Sequence, residues 1–333
     1  PRIKYYTSST VEGISGEKGN FSVRIKTSAQ YVKNNCTVCG DCVSVCPVER
    51  MDEFNYNLSK TKAIYLPHEM AFPMKFTIDN EYCKKESCNK CVEVCTYNAI
   101  DFSVEEKENV LDVQSVIFAT GWHNYDASKL DNLNYLSSEN ILTNVEFERL
   151  LAPNGPTEGK LLKPSDQSVP GEVVFVQCAG SRDENHLPYC SAVCCSASLK
   201  HALTIREKLP DCKVKIFYID LRVSGRNEDF LNKVKQEKNI ELIKGKVGKV
   251  ELNHENNKLV VEAEDIQNGI KLKHETDMVV LATGIEPHNL PLDINTNSWG
   301  FLANGQEKGL VAVSCSKKPM DVSSSVKDAT AAA

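Results

Sequence analysis

The pattern of apolar and polar positions divides the chain into unequal stretches. Phe21-Ser-Val-Arg-Ile-Lys26 alternates apolar with polar, which predicts a strand with one buried face, and residues 1–30 read as extended structure. Residues 31–103 hold few long apolar runs. Strand character returns over 104–121, ending in Ser115-Val-Ile-Phe-Ala-Thr-Gly121. A loop-rich span follows, with Pro and Gly clustered at 153–171. From Glu172 the period changes again: strand at Val173–Val176, helix over 191–208, strand over 214–219, helix over 227–237. Continuous apolar strands alternating with helices predict a parallel sheet of the doubly wound kind. Further strands are expected within 240–264, and the run Asp277-Met-Val-Val-Leu-Ala-Thr-Gly284 repeats the earlier Ala-Thr-Gly ending. The segment from Asp321 to Ala333 reads as the start of a helix.

The two Ala-Thr-Gly endings lie about 160 residues apart and suggest two related half-domains. A glycine directly after a strand permits a sharp turn or the close approach of a ligand or another segment. No apolar run approaches the roughly 20 residues of a membrane-spanning helix. The 333 residues are 41% hydrophobic and 25% charged with net charge −6, which excludes a disordered chain and does not suggest a nucleic-acid partner. Fourteen cysteines change the picture most. No secretory leader is recognisable, so reduced, metal-binding thiols are expected and not a disulfide scaffold. The opening Pro1-Arg2-Ile3 carries no Met, and the expectation is a chain whose N-terminus is missing.

Eight cysteines fall in two runs within 31–103. The first is Cys36-x2-Cys39-x2-Cys42-x3-Cys46-Pro47; the second is Cys83-x4-Cys88-x2-Cys91-x3-Cys95-Thr96. In the bacterial ferredoxin spacing, three close thiolates hold one cubane cluster and the fourth reaches across to the other. One 4Fe–4S cluster is therefore assigned to Cys36, Cys39, Cys42 and Cys95, and the other to Cys83, Cys88, Cys91 and Cys46. The alternatives are two zinc sites, which favour paired C-x2-C units, or core cysteines without ligands.

A third group is Cys178-Ala-Gly-Ser-Arg182, followed by Tyr189-Cys190-Ser-Ala-Val-Cys194-Cys195. It stands between a strand and a helix, where a dinucleotide-binding unit carries G-x-G-x-x-G. Thiolates at a helix N-terminus suit an anionic cluster. A third 4Fe–4S cluster, a vicinal Cys194–Cys195 redox disulfide and buried unligated cysteines all remain open. His186 reads as polar loop surface. Cys212 and Cys315 are left over, and Cys212 is expected to be a buried free thiol.

At these residues a resemblance enters. Val176-Gln-Cys-Ala-Gly-Ser-Arg-Asp183 and Tyr189-Cys-Ser-Ala-Val-Cys-Cys195 resemble the A subunits of heterodisulfide reductases. Tyr65-Leu-Pro-His-Glu-Met-Ala-Phe-Pro-Met74, Arg182-Asp-Glu-Asn-His-Leu-Pro-Tyr-Cys190 and Ala152-Pro-Asn-Gly-Pro156 are similar to one branch, the A subunits of quinone-modifying membrane-bound oxidoreductase complexes of sulfate reducers. The resemblance covers nearly the whole chain. It implies an α/β flavoprotein of the thioredoxin-reductase-like, two-Rossmann fold with an inserted ferredoxin-like domain. Its implied parts are a remnant of the FAD domain (1–30), the ferredoxin-like insertion (31–103), the FAD-domain return and linker (104–170), a second Rossmann-like domain with a cluster in place of the nucleotide loop (171–275), and the FAD domain's last segment (276–333).

The same resemblance implies FAD held by Ala119, Thr120 and Gly121 and by Asp321, Val322 and Ser325, with Asp321 equally readable as a helix N-cap. It also implies that Cys178, Cys190, Cys194 and Cys195 ligate an additional 4Fe–4S cluster. No G-x-G-x-x-G motif occurs in the chain, which leaves flavin binding by it an open expectation. The implied work is electron transfer between the menaquinone pool and adenylylsulfate reductase. The implied location is cytoplasmic, peripheral to the membrane through the partner subunits of the complex. No catalytic side chain is assigned, because no nucleophile–base or paired-carboxylate arrangement is visible. The rivals are a component of the heterodisulfide-reductase type, a flavin-free iron–sulfur relay or scaffold, and a pyridine-nucleotide disulfide oxidoreductase using Cys194 and Cys195.

Overall fold

The structure, a computed structural model, describes residues 3–223, 225, 227–303, 306 and 308–333. It contains two compact units. The first runs to Val116 and includes short later segments such as Leu290–Ile294; the second holds Ile117–Asn289, a segment from Asn295, and Ala312–Ala333.

In the first unit β1 (Ser9–Glu17) and β2 (Asn20–Thr27) form an antiparallel hairpin. The cysteine-rich segment that follows carries two one-turn helices, α1 (Asp41–Ser44) and α2 (Lys90–Val94), before β3 (Lys107–Val113) returns antiparallel to β2. Phe21, Val23 and Ile25 are buried while Arg24 is exposed, as the alternation along β2 dictates. The cysteine-rich segment packs on a small core of Tyr31, Val32, Ile64, Phe76, Ile78 and Ile100, and a Val32–Ile100 antiparallel bridge joins its two ends. So few apolar side chains bury little area, and bound metal would add to the stability of such a segment.

The second unit is built on a five-stranded sheet. β4 (Ile141–Thr143) leads into α3 (Asn144–Leu151). β5 (Glu172–Ala179) is followed by α4 (Cys194–Lys208), β6 (Lys213–Tyr218) by α5 (Asn227–Gln236), and then comes β7 (Ile240–Lys244). An antiparallel meander of β8 (Val247–Asn253), β9 (Lys258–Asp265) and β10 (Ile270–Thr276) precedes β11 (Met278–Thr283). All pairings in the five-stranded sheet are parallel, in the order β4-β11-β5-β6-β7. Val173, Val174 and Phe175 and the whole of β11 are buried, so their unbroken apolar character follows from cover on both faces.

Three features differ from the sequence expectation. The helix expected from residue 191 begins at Cys194, because Ala192 adopts φ 63° and the Ser191 hydroxyl is committed to the Ile285 amide. The loop-rich span contains β4 and α3, which supply an edge strand to the sheet. Their signal is Thr143-x-x-Glu146: the Glu146 amide donates to Thr143 Oγ1 at 3.4 Å and the Thr143 amide donates to Glu146 Oε2 at 2.6 Å, a reciprocal cap. β10, which the apolar pattern does not announce, is mostly solvent-facing. Replacing Thr143 by Ala is expected to cost about 1 kcal/mol, measured by chemical denaturation. Among the described residues no helix is long and apolar enough to cross a membrane.

Candidate metal centres

The first unit contains two cysteine-lined cavities. One, a small cavity of about 20 Å³, is lined by Cys36, Cys39, Cys42 and Cys95. The other, also about 20 Å³, is lined by Cys46, Cys83, Cys88 and Cys91. Each cavity thus receives three cysteines of one run and the fourth of the other. Cys42 and Cys91 sit within α1 and α2, while Cys46 and Cys95 stand just past the ends of those helices. Val32, Ile64, Phe76 and Ile100 close the first cavity; Ile64, Ile78 and Phe102 close the second. Backbone amides point at sulfur in both, from Ala99 to Cys95 Sγ and from Lys85 to Cys83 Sγ, each at 3.4 Å.

The donor chemistry fits a cluster better than a single ion. Among the described residues no three His, Cys, Asp or Glu side chains converge as one bound metal ion requires. Four thiols around a volume are what a cubane needs, because each binds its own corner iron. Apolar walls and N–H···S contacts are the means by which a protein sets a cluster's potential.

Crowding raises the proton affinity of these thiols. Burial, then the neighbouring Cys36, Cys39 and Cys91, pushes Cys42 up to about 12; burial with Cys83 and Cys46 pushes Cys91 up to about 11. The metal-free fold therefore keeps its protons at a pH where the unfolded chain has lost them. Stability is unaffected below the ordinary thiol value of 9.0 and is lost as pH rises from there toward about 12. Once metal is bound the ligands are thiolates throughout, and the dependence vanishes. The melting temperature of the metal-free chain is expected to fall between pH about 9 and about 11, while that of the loaded chain stays level. A level metal-free profile would contradict the crowding.

The third group gathers in the second unit, at the C-terminal end of β5 and the start of α4. Cys194 and Cys195 are buried, and the thiols of Cys178, Cys190 and Cys195 all lie near enough to Cys194 to raise its pKa further above what burial imposes. Cys195 Sγ accepts from the Arg222 amide at 3.5 Å, and Cys190 Sγ from the Ala192 amide at 3.4 Å. α4 has no side-chain N-cap, so its first amides and its dipole remain available to an anionic group. The loop between Cys178 and Cys190 is held in a demanding shape, with Cys178 and Arg182, and Ala192 just beyond it, all at positive φ. Tyr189 donates to the Ile285 carbonyl at 2.9 Å and packs against Trp299 and Phe301. His186, expected as polar surface, instead pairs through Nδ1 with the Tyr125 hydroxyl at 2.7 Å. Cys212 and Cys315 are buried apart from these groups, Cys212 with its thiol against the Lys213 carbonyl.

The six residues linked to flavin also belong to the second unit. Phe118 O accepts from the Val313 amide and from Ser316 Oγ, both at 3.0 Å, which sets the Ala119-Thr120-Gly121 turn beside residues 313–316. The Ser314 amide donates to Asp328 of α6 (Val322–Ala332) at 2.7 Å and draws that helix alongside. Gly121 has φ 73°, and the space beside it is open. Asp321 is the N-cap of α6, accepting from the Ser324 amide at 2.8 Å, and those hydrogen bonds hold its carboxyl below the usual range. Val322 is exposed and Ser325 half-buried.

Fold and sites together define an α/β protein with two crossed, ferredoxin-type cysteine cradles and a third cysteine site where a dinucleotide-binding sheet carries its phosphate loop. The homologues of the chain are heterodisulfide reductase A subunits. It is 34% identical over 349 residues to the A subunit of the H2:CoB–CoM heterodisulfide, ferredoxin reductase of Methanothermobacter marburgensis, covering 99% of this chain and 52% of that protein. It is 36% identical over 351 residues to an iron–sulfur A subunit of the CoB–CoM heterodisulfide reductase of Methanopyrus kandleri, covering 100% and 53%. The chain spans about half the length of these curated relatives. No family model matches it. Among solved structures, Lactococcus lactis thioredoxin reductase aligns with a TM-score of 0.44 and 13% identity, over 80% of this chain and 81% of its own.

Proposed function

We propose that this chain is the flavin- and cluster-bearing electron-transfer component of a multi-subunit oxidoreductase of the heterodisulfide-reductase type. The observation that carries the reading is the exchange of fourth cysteines between two cavities of equal size. Cys36, Cys39, Cys42 and Cys95 would hold one 4Fe–4S cluster, Cys46, Cys83, Cys88 and Cys91 a second, and Cys178, Cys190, Cys194 and Cys195 a third. Ala119, Thr120, Gly121, Asp321, Val322 and Ser325 would line the flavin. FAD, when bound, exchanges electron pairs on one side and single electrons on the other. The chain's own part is to hold the thiolates, exclude water with apolar walls, and aim amide N–H groups at sulfur. Cys42 and Cys91 lie close enough to influence each other, which keeps the two cradles within short electron-transfer reach.

The Tyr65–Met74 and Arg182–Cys190 strings favour the sulfate-reducer branch. There, electrons would pass between the menaquinone pool and adenylylsulfate reductase, with the chain at the cytoplasmic membrane face through its partner subunits. Mixing the dithionite-reduced, desalted, reconstituted chain with adenylylsulfate reductase and its substrate adenylylsulfate, the final electron acceptor, is expected to reoxidise it; no reoxidation would return the reading to the broader heterodisulfide-reductase type. A flavin-free relay is the second reading, and the flavin assay below decides between the two. Anaerobic reconstitution followed by iron and sulfide assay is expected to give about twelve irons per chain, and about four or fewer would reject three clusters. A flavin absorbance band near 450 nm, retained after desalting, would exclude the relay.

A further inference from the structure

Arg182 lies in the strained loop between Cys178 and Cys190, and its placement is unusual for a surface-loop arginine. The guanidinium rests against the Cys178 thiol as its side-chain hydrogen-bond partner. It is fixed from several directions. Nη2 donates to Asp220 Oδ2 at 2.9 Å, and the Arg182 amide donates to the Tyr189 carbonyl at 3.1 Å. Its φ of 59° is a conformation that a residue with a side chain keeps only where its surroundings demand it. Nη1 is buried with no nitrogen or oxygen acceptor among the described residues, and the acceptor beside the guanidinium is the Cys178 sulfur. A buried charged donor is costly without a strong acceptor, which a cluster sulfur at that position would supply.

The residues around it point to the same place. Asp220, the acceptor for Nη2, belongs to the segment leaving β6, whose Arg222 amide donates to Cys195 Sγ at 3.5 Å. The arginine therefore bridges the two chain segments that embrace the four cysteines. Asp220 has half its side chain in solvent, where its charge is screened; Arg182 is more enclosed, at 23% exposure.

We propose that Arg182 sets the reduction potential of the third cysteine site, holding it higher than the same four thiolates would have alone, by donating from Nη1 to the sulfur of the bound cluster. This rests on the reading of Cys178, Cys190, Cys194 and Cys195 as cluster ligands. One electron taken from the reductant adds one negative charge to the site. Arginine stays protonated in both states, so no proton moves and its charge favours the reduced form. Arg182 acts on the cluster directly and touches no substrate.

The test uses the full chain, reconstituted anaerobically with iron and sulfide and titrated with dithionite while EPR spectra are recorded. Cys194→Ala identifies the third site's signal as the one lost together with about four irons. In Arg182→Gln that signal is expected to remain, with iron content unchanged. Its midpoint should move negative by about tenfold in the reduction equilibrium, about 59 mV for one electron, while the other signals stay in place. Arg182→Lys, which keeps the charge and loses the planar fork, is expected to move it less in the same direction. An unmoved midpoint in Arg182→Gln overturns the role of Arg182 and leaves the third cluster standing. If Cys194→Ala loses neither signal nor iron, the cluster reading and the role fall together. Should the glutamine variant hold no third-site iron, a lysine variant titrating at the parent midpoint overturns the proposal.

Discussion

Cys95→Ala is expected to remove about four irons per chain and to abolish the spectrum of the Cys36, Cys39 and Cys42 site, leaving that of Cys83, Cys88 and Cys91 in place. The reason is that Cys95 stands on the second run but lines the first cavity. Double variants make the test sharp. Cys36→Ala with Cys95→Ala should lose about four irons in total, because both belong to one site. Cys36→Ala with Cys91→Ala should lose about eight, because they belong to different sites. Iron and labile-sulfide assays read both outcomes, and a loss of about eight irons from both double variants would assign each run its own cluster. Stability is expected to follow iron, since binding free energy is folding free energy where the surrounding core is small.

Gly284→Ala is expected to destabilise the second unit by about 1–3 kcal/mol and to cost the third site its iron. A Cβ there would lie 2.4 Å from Leu187 Cδ1, 2.5 Å from Ser181 Oγ and 3.0 Å from Ser191 Oγ. All three belong to the loop that presents the cysteines, and Ser181 and Ser191 are joined to each other at 3.1 Å, so the loop cannot yield at one point only. Denaturant unfolding measures the first effect and the iron assay the second. Iron retained in full by a destabilised variant would show that the loop moves without disturbing its thiols.

That glycine illustrates what sequence reading reaches and where it stops. The two Ala-Thr-Gly endings look equivalent as text, yet Gly121 has open space beside it and a positive φ, whereas Gly284 is a point of close approach. One serves a turn and the other makes room. Only contacts from more than ninety residues away distinguish them. The hydrophobic strands β5 and β11 are readable because burial on both faces leaves an unbroken apolar run. α3 is less so, for its signal is a four-residue cap within a stretch rich in loop residues. Arg182 is visible in the sequence as a letter near a cysteine; nothing in its neighbours announces that Asp220, from the next strand's exit, holds it against the thiols.

By itself, the sequence determined the cysteine runs, their spacing and the alternation of strands with helices, because these are local: ligand spacing, period and capping need no distant partner. The tertiary structure decided which apolar segments close each cavity, why the helix after β5 begins at Cys194, and which side chains border the third site. Those outcomes depend on segments far apart in the chain, brought together by burial of the sheet and by the turns that leave it, and no local pattern of residues encodes that meeting.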